Sequence, residues 1–312
     1  MVHFLLRWLL PCLLSMTLVS EAVAALHVWV VLAESAGVHQ ETAEHLKAAL
    51  TDAAEVRVDR GAELFGGRGA RPDLIITVGT AALDGMLEQL PKKDVGWAKI
   101  PVLATLVPQS VVEARRAIVG SRPFAAVVLD QPFSRQLALI RRALPESQRV
   151  GVVPGPQTRL HLAPLEKEAR ARGLQLVVGP EVRAPEDIYP SLKEVLVHAD
   201  VVLALPEPLV YNAGTLQNIL LTTYRARVPL VAFSSAYVKA GALLAVYSTP
   251  LQVANQTALV ARDWLAGRDP PPLVYNREFT VVANDRVAAS LGMRPFEVDE
   301  IMADLRRIEG GR

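Results

Sequence analysis

Hydroxyl and carboxyl side chains follow several short apolar runs of this sequence and are its main candidates for chemistry. One run ends in Ser234 and Ser235, and Ser35, Thr80 and Glu207 follow three others. Hydroxyls donate and accept hydrogen bonds, a carboxylate accepts them, and a serine can also act as a nucleophile. Brought together by a fold, these groups suit the binding of a small polar ligand or a hydrolytic reaction.

The apolar runs alternate with amphipathic stretches, and the order of the elements repeats in two halves of the chain. Asp73 and Pro101 lie 28 positions apart in the first half, and Asp200 and Pro229 lie 29 apart in the second. Each half predicts a β-α-β-α-β series, which forms a parallel sheet covered by helices on both faces. We therefore predict an α/β fold with two Rossmann-like lobes.

The carboxyl ends of parallel strands lie at one edge of a sheet, where ligands bind in open α/β folds. Ser35, Thr80, Glu207, Ser234 and Ser235 all fall at predicted strand ends, and helix N-termini at the same edge favour anions. For any one of these residues, capping of the following helix is an equally good interpretation. As a set, they predict a binding cleft between two facing sheets.

Two predicted strands come after the second sheet is complete, which indicates that the chain returns to the first lobe. We predict three connections between the lobes, near residues 123–132, near Gly241 and near residues 272–277. Such an arrangement is typical of a clamshell that closes by hinge motion. The predicted boundaries are residues 25–124 plus 241–274 for lobe 1 and residues 125–240 plus 275–312 for lobe 2.

Residues 1–24 have the composition of a secretory signal peptide. Arg7 precedes an apolar stretch of about a dozen residues, and residues 22–24 offer a small-x-small cleavage site before Ala25. A membrane anchor is the alternative, but a span needs about 20 apolar residues. Cys12 lies inside this segment, so the mature chain has no cysteine and no disulfide. We expect a periplasmic protein.

Composition and charge argue against several other classes. The chain has 312 residues, enough for two domains, with 33 basic and 32 acidic residues and no clustered basic face for nucleic acid. Residues 66–70 (GGRGA) precede a predicted strand rather than follow one, so they do not suit a phosphate-binding loop. His39, Glu44 and His45 lack metal-ligand spacing. We expect no cofactor, no metal and no nucleic-acid partner, and a monomeric protein.

A serine hydrolase is the enzymatic alternative. Residues 33–37 (AESAG) have the form of a nucleophile elbow with Ala in place of the first Gly, and Ser35 would be the nucleophile. His161 or His198 would supply the base. Because the elbow would lie on the first strand of the mature chain, and neither histidine has a partner motif, a binding protein is the favoured interpretation.

Four segments resemble the substrate-binding proteins of ABC transporters, in particular the family that includes tryptophan and tyrosine binders. They are residues 127–153, 205–258, 264–272 and 279–293. The resemblance implies a periplasmic binding protein of type I, with a small-molecule ligand between the lobes and no enzymatic activity. It implies a membrane permease as the protein partner, or, in the alternative function, a membrane-bound sensor.

The resemblance also implies which loops face the ligand. Its candidate ligand-binding residues in this sequence are Ser35, Thr80, Asp130, Gln157, Glu207, Tyr211, Ser234 and Ser235. The chain departs from the family where Glu207-Pro208 replaces the usual Asp-Pro, and where residues 107–127 replace a glycine-rich stretch.

We expect a small, polar, amino-acid-like ligand, whose carboxylate is bound by hydroxyls and by N–H groups at helix N-termini. Glu207 would bind the cationic group of this ligand, since Pro206 and Pro208 restrict the backbone on either side of it. The alternative is that Glu207 caps a helix beginning near Tyr211.

Export would remove the predicted signal peptide. We expect the protein recovered from the periplasm to begin at Ala25, because the small residues at positions 22 and 24 suit the cleavage site. Intact mass spectrometry of that material measures the start of the chain. Retention of the full N-terminus, or a lipid on Cys12, would contradict the prediction.

Overall fold

The computed structural model of the protein describes residues 25–34, 36–60, 71–89 and 95–310. Two sheets organise these residues. The strands of the first sheet are β1 (His27–Leu32), β2 (Glu55–Arg60), β3 (Leu74–Val78), β4 (Val102–Val107), β5 (Phe124–Val128) and β11 (Leu273–Tyr275). Their order is β11-β5-β4-β3-β1-β2, and every neighbouring pair is parallel.

The second sheet repeats this arrangement with one exception. Its strands are β6 (Arg149–Val152), β7 (Gln175–Val178), β8 (Val201–Leu203), β9 (Leu230–Ala232), β10 (Leu244–Tyr247) and β12 (Thr280–Ala283). Their order is β12-β10-β9-β8-β6-β7, and only the pairing of β12 with β10 is antiparallel. The predicted α/β fold with two parallel-sheet lobes is confirmed.

Helices cover both faces of each sheet, as buried parallel strands require. In the first lobe they are α1 (Gly37–Leu50), α2 (Thr80–Gln89), α3 (Val95–Ala98), α4 (Gln109–Val119) and α10 (Pro250–Leu265). In the second lobe they are α5 (Phe133–Ala143), α6 (Leu162–Ala171), α7 (Ile188–His198), α8 (Leu216–Arg225), α9 (Ser235–Ala240), α11 (Asp285–Ser290) and α12 (Val298–Gly310). Within the described ranges, no helix has the length and apolar character needed to span a bilayer.

Strand β1 shows why the apolar runs do not alternate with polar residues. Val28 and Val30 lie in the core cluster that includes residues of α1 and α10, whereas Trp29 and Val31 lie in the cluster on the opposite face. Successive strand residues point to opposite faces, and here both faces are covered. A continuous apolar run is therefore what a central strand of this fold requires.

The repeat around Asp73 and Asp200 has a structural cause. The Asp73 carboxylate accepts a hydrogen bond from the backbone N–H of His27 at 2.8 Å, and the Asp200 carboxylate accepts one from the N–H of Arg149 at 2.8 Å. His27 and Arg149 are the first residues of β1 and β6. Each aspartate thus binds the start of the neighbouring strand, which is the same role in both lobes.

The crossing predicted near Gly241 is wrong. Gly241 ends α9 with a φ of 128°, a conformation that favours glycine, and the chain then turns back to pair as β10 with β9 and β12 in the second sheet. The crossing follows β10, at residues 248–249, and leads into α10, which packs on α1 of the first lobe.

The first crossing falls inside its predicted range, and the third begins inside its own but extends two residues beyond it. Two strands beside these crossings, β5 and β11, were not predicted. Strand β5 belongs to the first sheet, so a boundary after residue 124 divides it, and the first crossing comprises residues 129–132. Strand β11 has only three residues, and the third crossing follows it at residues 276–279. Small residues at Ala125 and Ala126 gave β5 little strand signal.

A matched pair of glycine substitutions tests the packing. We expect Gly151→Ala to lower the free energy of unfolding by about 1–3 kcal/mol, because a Cβ on β6 would lie against Val195 of α7 and only 2.7 Å from the Cβ of Ala199, which directly follows α7. Gly85→Ala in α2 meets no atom within 4 Å and should raise that free energy by about 0.5–1 kcal/mol. Urea unfolding measures both, and equal effects would contradict the packing described.

Candidate functional site

A cavity lies between the two lobes, where the carboxyl ends of β4 and β5 face those of β6 and β8. Its lining is mainly polar and includes both lobes: Gln109, Ser110, Asp130, Gln131, Phe133, Gln136, Gln157, Thr158, His161, Leu205, Pro206 and Tyr275. Its volume is about 20 Å³, which admits roughly one water molecule. We call these residues the interlobe cleft; a larger ligand enters it only if the lobes separate.

Two larger cavities do not share this position. One of about 390 Å³ lies beside β7 and α7, and one of about 640 Å³ lies between α5, α6 and α12. All the residues around both belong to the second lobe. The interlobe cleft is therefore the better candidate site despite its small volume, because its lining comes from both lobes.

Side chains of the two lobes contact each other across the cleft. The Ser110 hydroxyl of α4 donates a hydrogen bond to Gln157 Oε1 at 2.6 Å. One turn further along α4, Glu113 Oε2 lies 3.3 Å from Nε2 of His161, although the geometry is not that of a hydrogen bond. The lobes are thus closed on each other at this end of the cleft.

Asp130 is the carboxylate of the cleft. It follows β5, and its Oδ2 accepts a hydrogen bond of 2.6 Å from the N–H of Gln109, the first residue of α4. Part of its side chain reaches the surface, but protein encloses most of it, and this desolvation raises the pKa of Asp130 above its ordinary value. The hydrogen bond and the nearby His161 favour the charged form without cancelling the effect.

Glu207 is buried and faces its own lobe. Its Oε2 accepts hydrogen bonds from the backbone N–H groups of Gln157 at 2.9 Å and Thr158 at 3.0 Å, and from the Thr158 hydroxyl at 3.3 Å. These groups begin the 3₁₀ helix Thr158–His161, whose free N–H groups favour a carboxylate. A Cβ at Gly155 would lie 2.5 Å from the Glu207 carboxyl carbon, so glycine is needed for this approach.

The two sequence-based interpretations of Glu207 fare differently in this geometry. The helix near Tyr211 does not begin there, since α8 starts at Leu216, and the segment that Glu207 caps lies instead at Thr158. Binding of a ligand cation by Glu207 stays a prediction, but its carboxylate is already engaged by four donors of its own lobe. Among the described residues that line the interlobe cleft, Asp130 is the carboxylate.

Tyr211 lies in an aromatic cluster with Phe233 and Tyr237. Its ring is 6.2 Å from that of Phe233, nearly perpendicular, and the Tyr237 hydroxyl donates to the Tyr211 carbonyl at 3.1 Å. The Tyr211 hydroxyl is buried without a hydrogen-bond partner, and burial raises its pKa. The Tyr211 ring therefore belongs to the core of the second lobe, and a ligand contact for its hydroxyl stays a prediction.

The predicted ligand residues do not all meet. Asp130 and Gln157 line the interlobe cleft, whereas Thr80 begins α2, Ser234 precedes α9 without a side-chain cap bond, and Ser235 begins α9. Ser35 lies outside the described residues, as do residues 66–70. The two bases of the hydrolase hypothesis lie at opposite ends of the second lobe: His161 is in the cleft and His198 ends α7.

Sequence reasoning missed several residues of the cleft. Gln109 and Ser110 begin α4, within the segment that departs from the family pattern. Gln131 lies in the first crossing, and Tyr275 ends β11 just before the third. Their signal was their position at or shortly after the ends of β4, β5 and the short β11. His39 packs half-buried against Gly79 at the carboxyl end of β3.

The role of Glu207 leads to a stability prediction. We expect Glu207→Gln to lower the free energy of unfolding by about 2 kcal/mol, because hydrogen bonds to a charged acceptor are lost and the amide N–H₂ opposes backbone donors. Glu186→Gln, on an exposed side chain, is the control and should change it by less than about 0.5 kcal/mol. Urea unfolding of both variants decides, and equal stabilities would contradict the role.

The fold resembles those of several solved structures at low sequence identity. A substrate-binding protein with adhesive properties from Clostridium difficile, in a ligand-free open structure, has a TM-score of 0.66 at 15% identity over 88% of this chain and 97% of its own. A conserved domain protein from Vibrio cholerae has a TM-score of 0.60 at 20% identity, covering 89% and 98%. An ABC domain from Streptococcus pneumoniae in complex with L-Trp also has 0.60, at 15% identity, covering 89% and 99%.

These likenesses show the fold alone, and no curated protein matches the sequence. The family is shown by a different comparison. The family model for ABC transporter substrate-binding proteins matches residues 66–299, which is most of the chain. This protein therefore belongs to the family of ABC transporter substrate-binding proteins.

Proposed function

We propose that this protein binds a small ligand with a cationic nitrogen between its lobes and delivers it to the permease of an ABC transporter. The observation that carries the ligand class is the charge of the interlobe cleft. Among the described residues that line it, Asp130 is a carboxylate and none is a lysine or arginine. A cation is the ligand group that such a lining stabilises.

The environment of Asp130 strengthens this argument. Desolvation raises its pKa, and the nearby His161 offsets this only in part, so burial still disfavours the charged carboxylate. Glu113 raises the pKa of Asp130 further, since it brings a second negative charge to the same side of the cleft. A ligand ammonium would relieve both effects, whereas a neutral sugar would leave the carboxylate unpaired.

The remaining polar groups suit the other half of an amino-acid-like ligand. The amides of Gln131 and Gln136 line the cleft, and each NH₂ group has a second N–H besides the one it already donates, so both can bind a carboxylate or an amide. The rings of Phe133 and Tyr275 provide apolar surface at the same site. Together with Asp130 they favour a ligand that combines an amine, an acceptor group and a compact apolar part.

Transport is favoured over sensing by the family to which the chain belongs. Delivery requires an extracytoplasmic protein, in keeping with the signal peptide predicted for residues 1–24. It also requires lobes that open, because the cleft has a volume of only about 20 Å³ when closed. Hinge closure around the ligand is a known mode of such two-lobed proteins.

The experiment begins with native mass spectrometry of freshly purified protein, which identifies a retained ligand, followed by titration calorimetry. We expect Asp130→Asn to weaken binding of that ligand by about 2–5 kcal/mol, because it removes the charged partner of a buried pair. The asparagine still accepts the hydrogen bond from Gln109. Asp263→Asn, on α10 and away from the cleft, should leave the affinity unchanged.

The same substitution should have the opposite effect on stability. Because the folded-state pKa of Asp130 is raised, the stability that its protonated form contributes is complete below 3.8, the ordinary pKa of an aspartate in the unfolded chain, and is lost as pH rises through the raised pKa. At neutral pH, Asp130→Asn should therefore raise the melting temperature of the ligand-free protein. A retained neutral sugar, or unchanged affinity in Asp130→Asn, would contradict the proposed ligand class.

A further inference from the structure

One guanidinium group is buried beside the crossings rather than in the cleft. Arg135, in the first turn of α5, is only 3% exposed. Its Nη1 donates to Gln131 Oε1 at 2.6 Å and to the Asn276 carbonyl at 3.0 Å, and its Nη2 lies 3.4 Å from the Arg277 carbonyl. Glu309 completes the set, with Oε1 at 2.6 Å from Nε and Oε2 at 2.7 Å from Nη2.

These bonds connect with others that join all three crossings. Gln131 of the first crossing donates from Nε2 to Ser248 Oγ of the second at 3.1 Å. The Ser248 hydroxyl donates to the Glu278 carbonyl of the third at 2.8 Å. The Asn276 amide donates to the Val128 carbonyl, at the end of β5, at 2.8 Å. Arg135 therefore lies at the centre of a network through which each crossing contacts the other two.

The network also reaches the interlobe cleft. Gln131 lines the cleft, and so does Tyr275, which directly precedes the carbonyl group that Arg135 binds at residue 276. The Tyr275 hydroxyl donates to Gln109 Oε1 at 2.6 Å, so its position sets that of another cleft residue. Arg135 thus binds Gln131 and the carbonyl group next to Tyr275, two parts of the cleft wall, without lining the cleft itself.

A buried cation of this kind depends on its anion. An arginine removed from water and left without a partner is strongly destabilising, and a bidentate carboxylate compensates it best. Here the carboxylate comes from Glu309, in the last turn of α12, more than 170 positions along the chain. The planar fork of arginine also presents donors to several acceptors at once, which a lysine cannot do.

We propose that Arg135 is a positioning residue of the ligand site, and that its pairing with Glu309 makes the C-terminal helix α12 a working part of the hinge. Arg135 fixes the third crossing against the first and so presets Gln131 and Tyr275 for the ligand. The inference rests on the proposed function only in taking the cleft as the ligand site, because the amide exchange of the crossings can be measured without any ligand.

The competing explanation is that the pair merely fastens α12 to α5. The chain contains a matched control for it, since Arg142 on α5 pairs with Asp304 on α12, between the same two helices. Both residues of that pair are more exposed than Arg135. Their hydrogen bonds and ion pairs do not include any residue of the three crossings (129–132, 248–249 and 276–279). Glu309→Gln and Asp304→Asn therefore each remove one ion pair between α5 and α12, but only the first removes one bound to the crossings.

Hydrogen–deuterium exchange of the ligand-free protein tests the proposal. In Glu309→Gln we expect the amides of residues 129–131 and 276–279 to exchange about tenfold faster than in the wild type, because local opening of the crossings becomes easier. Asp304→Asn should leave those rates unchanged. Faster exchange confined to the last turn of α12, or the same pattern in both variants, would overturn the proposal.

A second variant distinguishes loss of the hydrogen bonds between Arg135 and the crossings from loss of folding. Arg135→Lys keeps the charge for Glu309 but not the fork, so we expect a cooperatively unfolding protein whose crossings exchange faster than those of the wild type. Wild-type exchange rates at the crossings in a folded Arg135→Lys protein would contradict the inference. Neither result depends on the ligand class, so a failed search for a cationic ligand leaves this test intact.

Discussion

Parallel pairing is the constraint on which the rest of this structure depends. Parallel neighbours cannot be joined by a tight turn. Nearly every strand is therefore followed by a helix that returns the chain from the carboxyl ends of the strands to their amino ends. These helices cover both faces of each sheet and leave the carboxyl edge as the place where loops converge. Because the two lobes present these edges to each other, one cleft receives the strand ends of both sheets.

Carboxylates at both edges of the sheets accept hydrogen bonds from backbone N–H groups. Asp73 and Asp200 accept hydrogen bonds from backbone N–H groups at the starts of β1 and β6, and Glu207 accepts hydrogen bonds from those at the start of a 3₁₀ helix. Asp130 also accepts one N–H, from Gln109, yet it remains at the wall of the cleft. All four residues accept hydrogen bonds from backbone donors that would otherwise be unpaired. Asp130 differs from the other three because it also lines the interlobe cleft.

The sequence predicted the features that follow from local pattern. The apolar runs predicted most strands. The similar spacings from Asp73 to Pro101 and from Asp200 to Pro229 predicted two similar sheets, because each interval contains one strand and the helical connection to the next strand. Polar strand ends correctly indicated the edge that forms the cleft. Asp130 and Gln157 were predicted as ligand residues, and both line it.

The features that depend on distant partners could not be predicted in this way. Nothing near Gly241 distinguishes a helix end from a crossing until β10 is known to pair with β9. The carboxylate of Glu207 is engaged by residues 50 positions earlier in the chain, so its neighbours Pro206 and Pro208 gave no sign of its direction. Strand β11 is three residues long, and its pairing with β5 depends on the return of the whole chain to the first lobe.

The position of α10 has a consequence for how the chain reaches its native state. Its Arg262 forms a salt bridge with Asp52, next to α1, across 210 positions of sequence. Contacts of such separation slow folding, because a large loop must close before they form. At a synthesis rate of about 5–20 residues per second, roughly 10–40 seconds pass between the appearance of α1 and that of α10. The packing of α1 against α10 therefore cannot form until most of the second lobe has been synthesised.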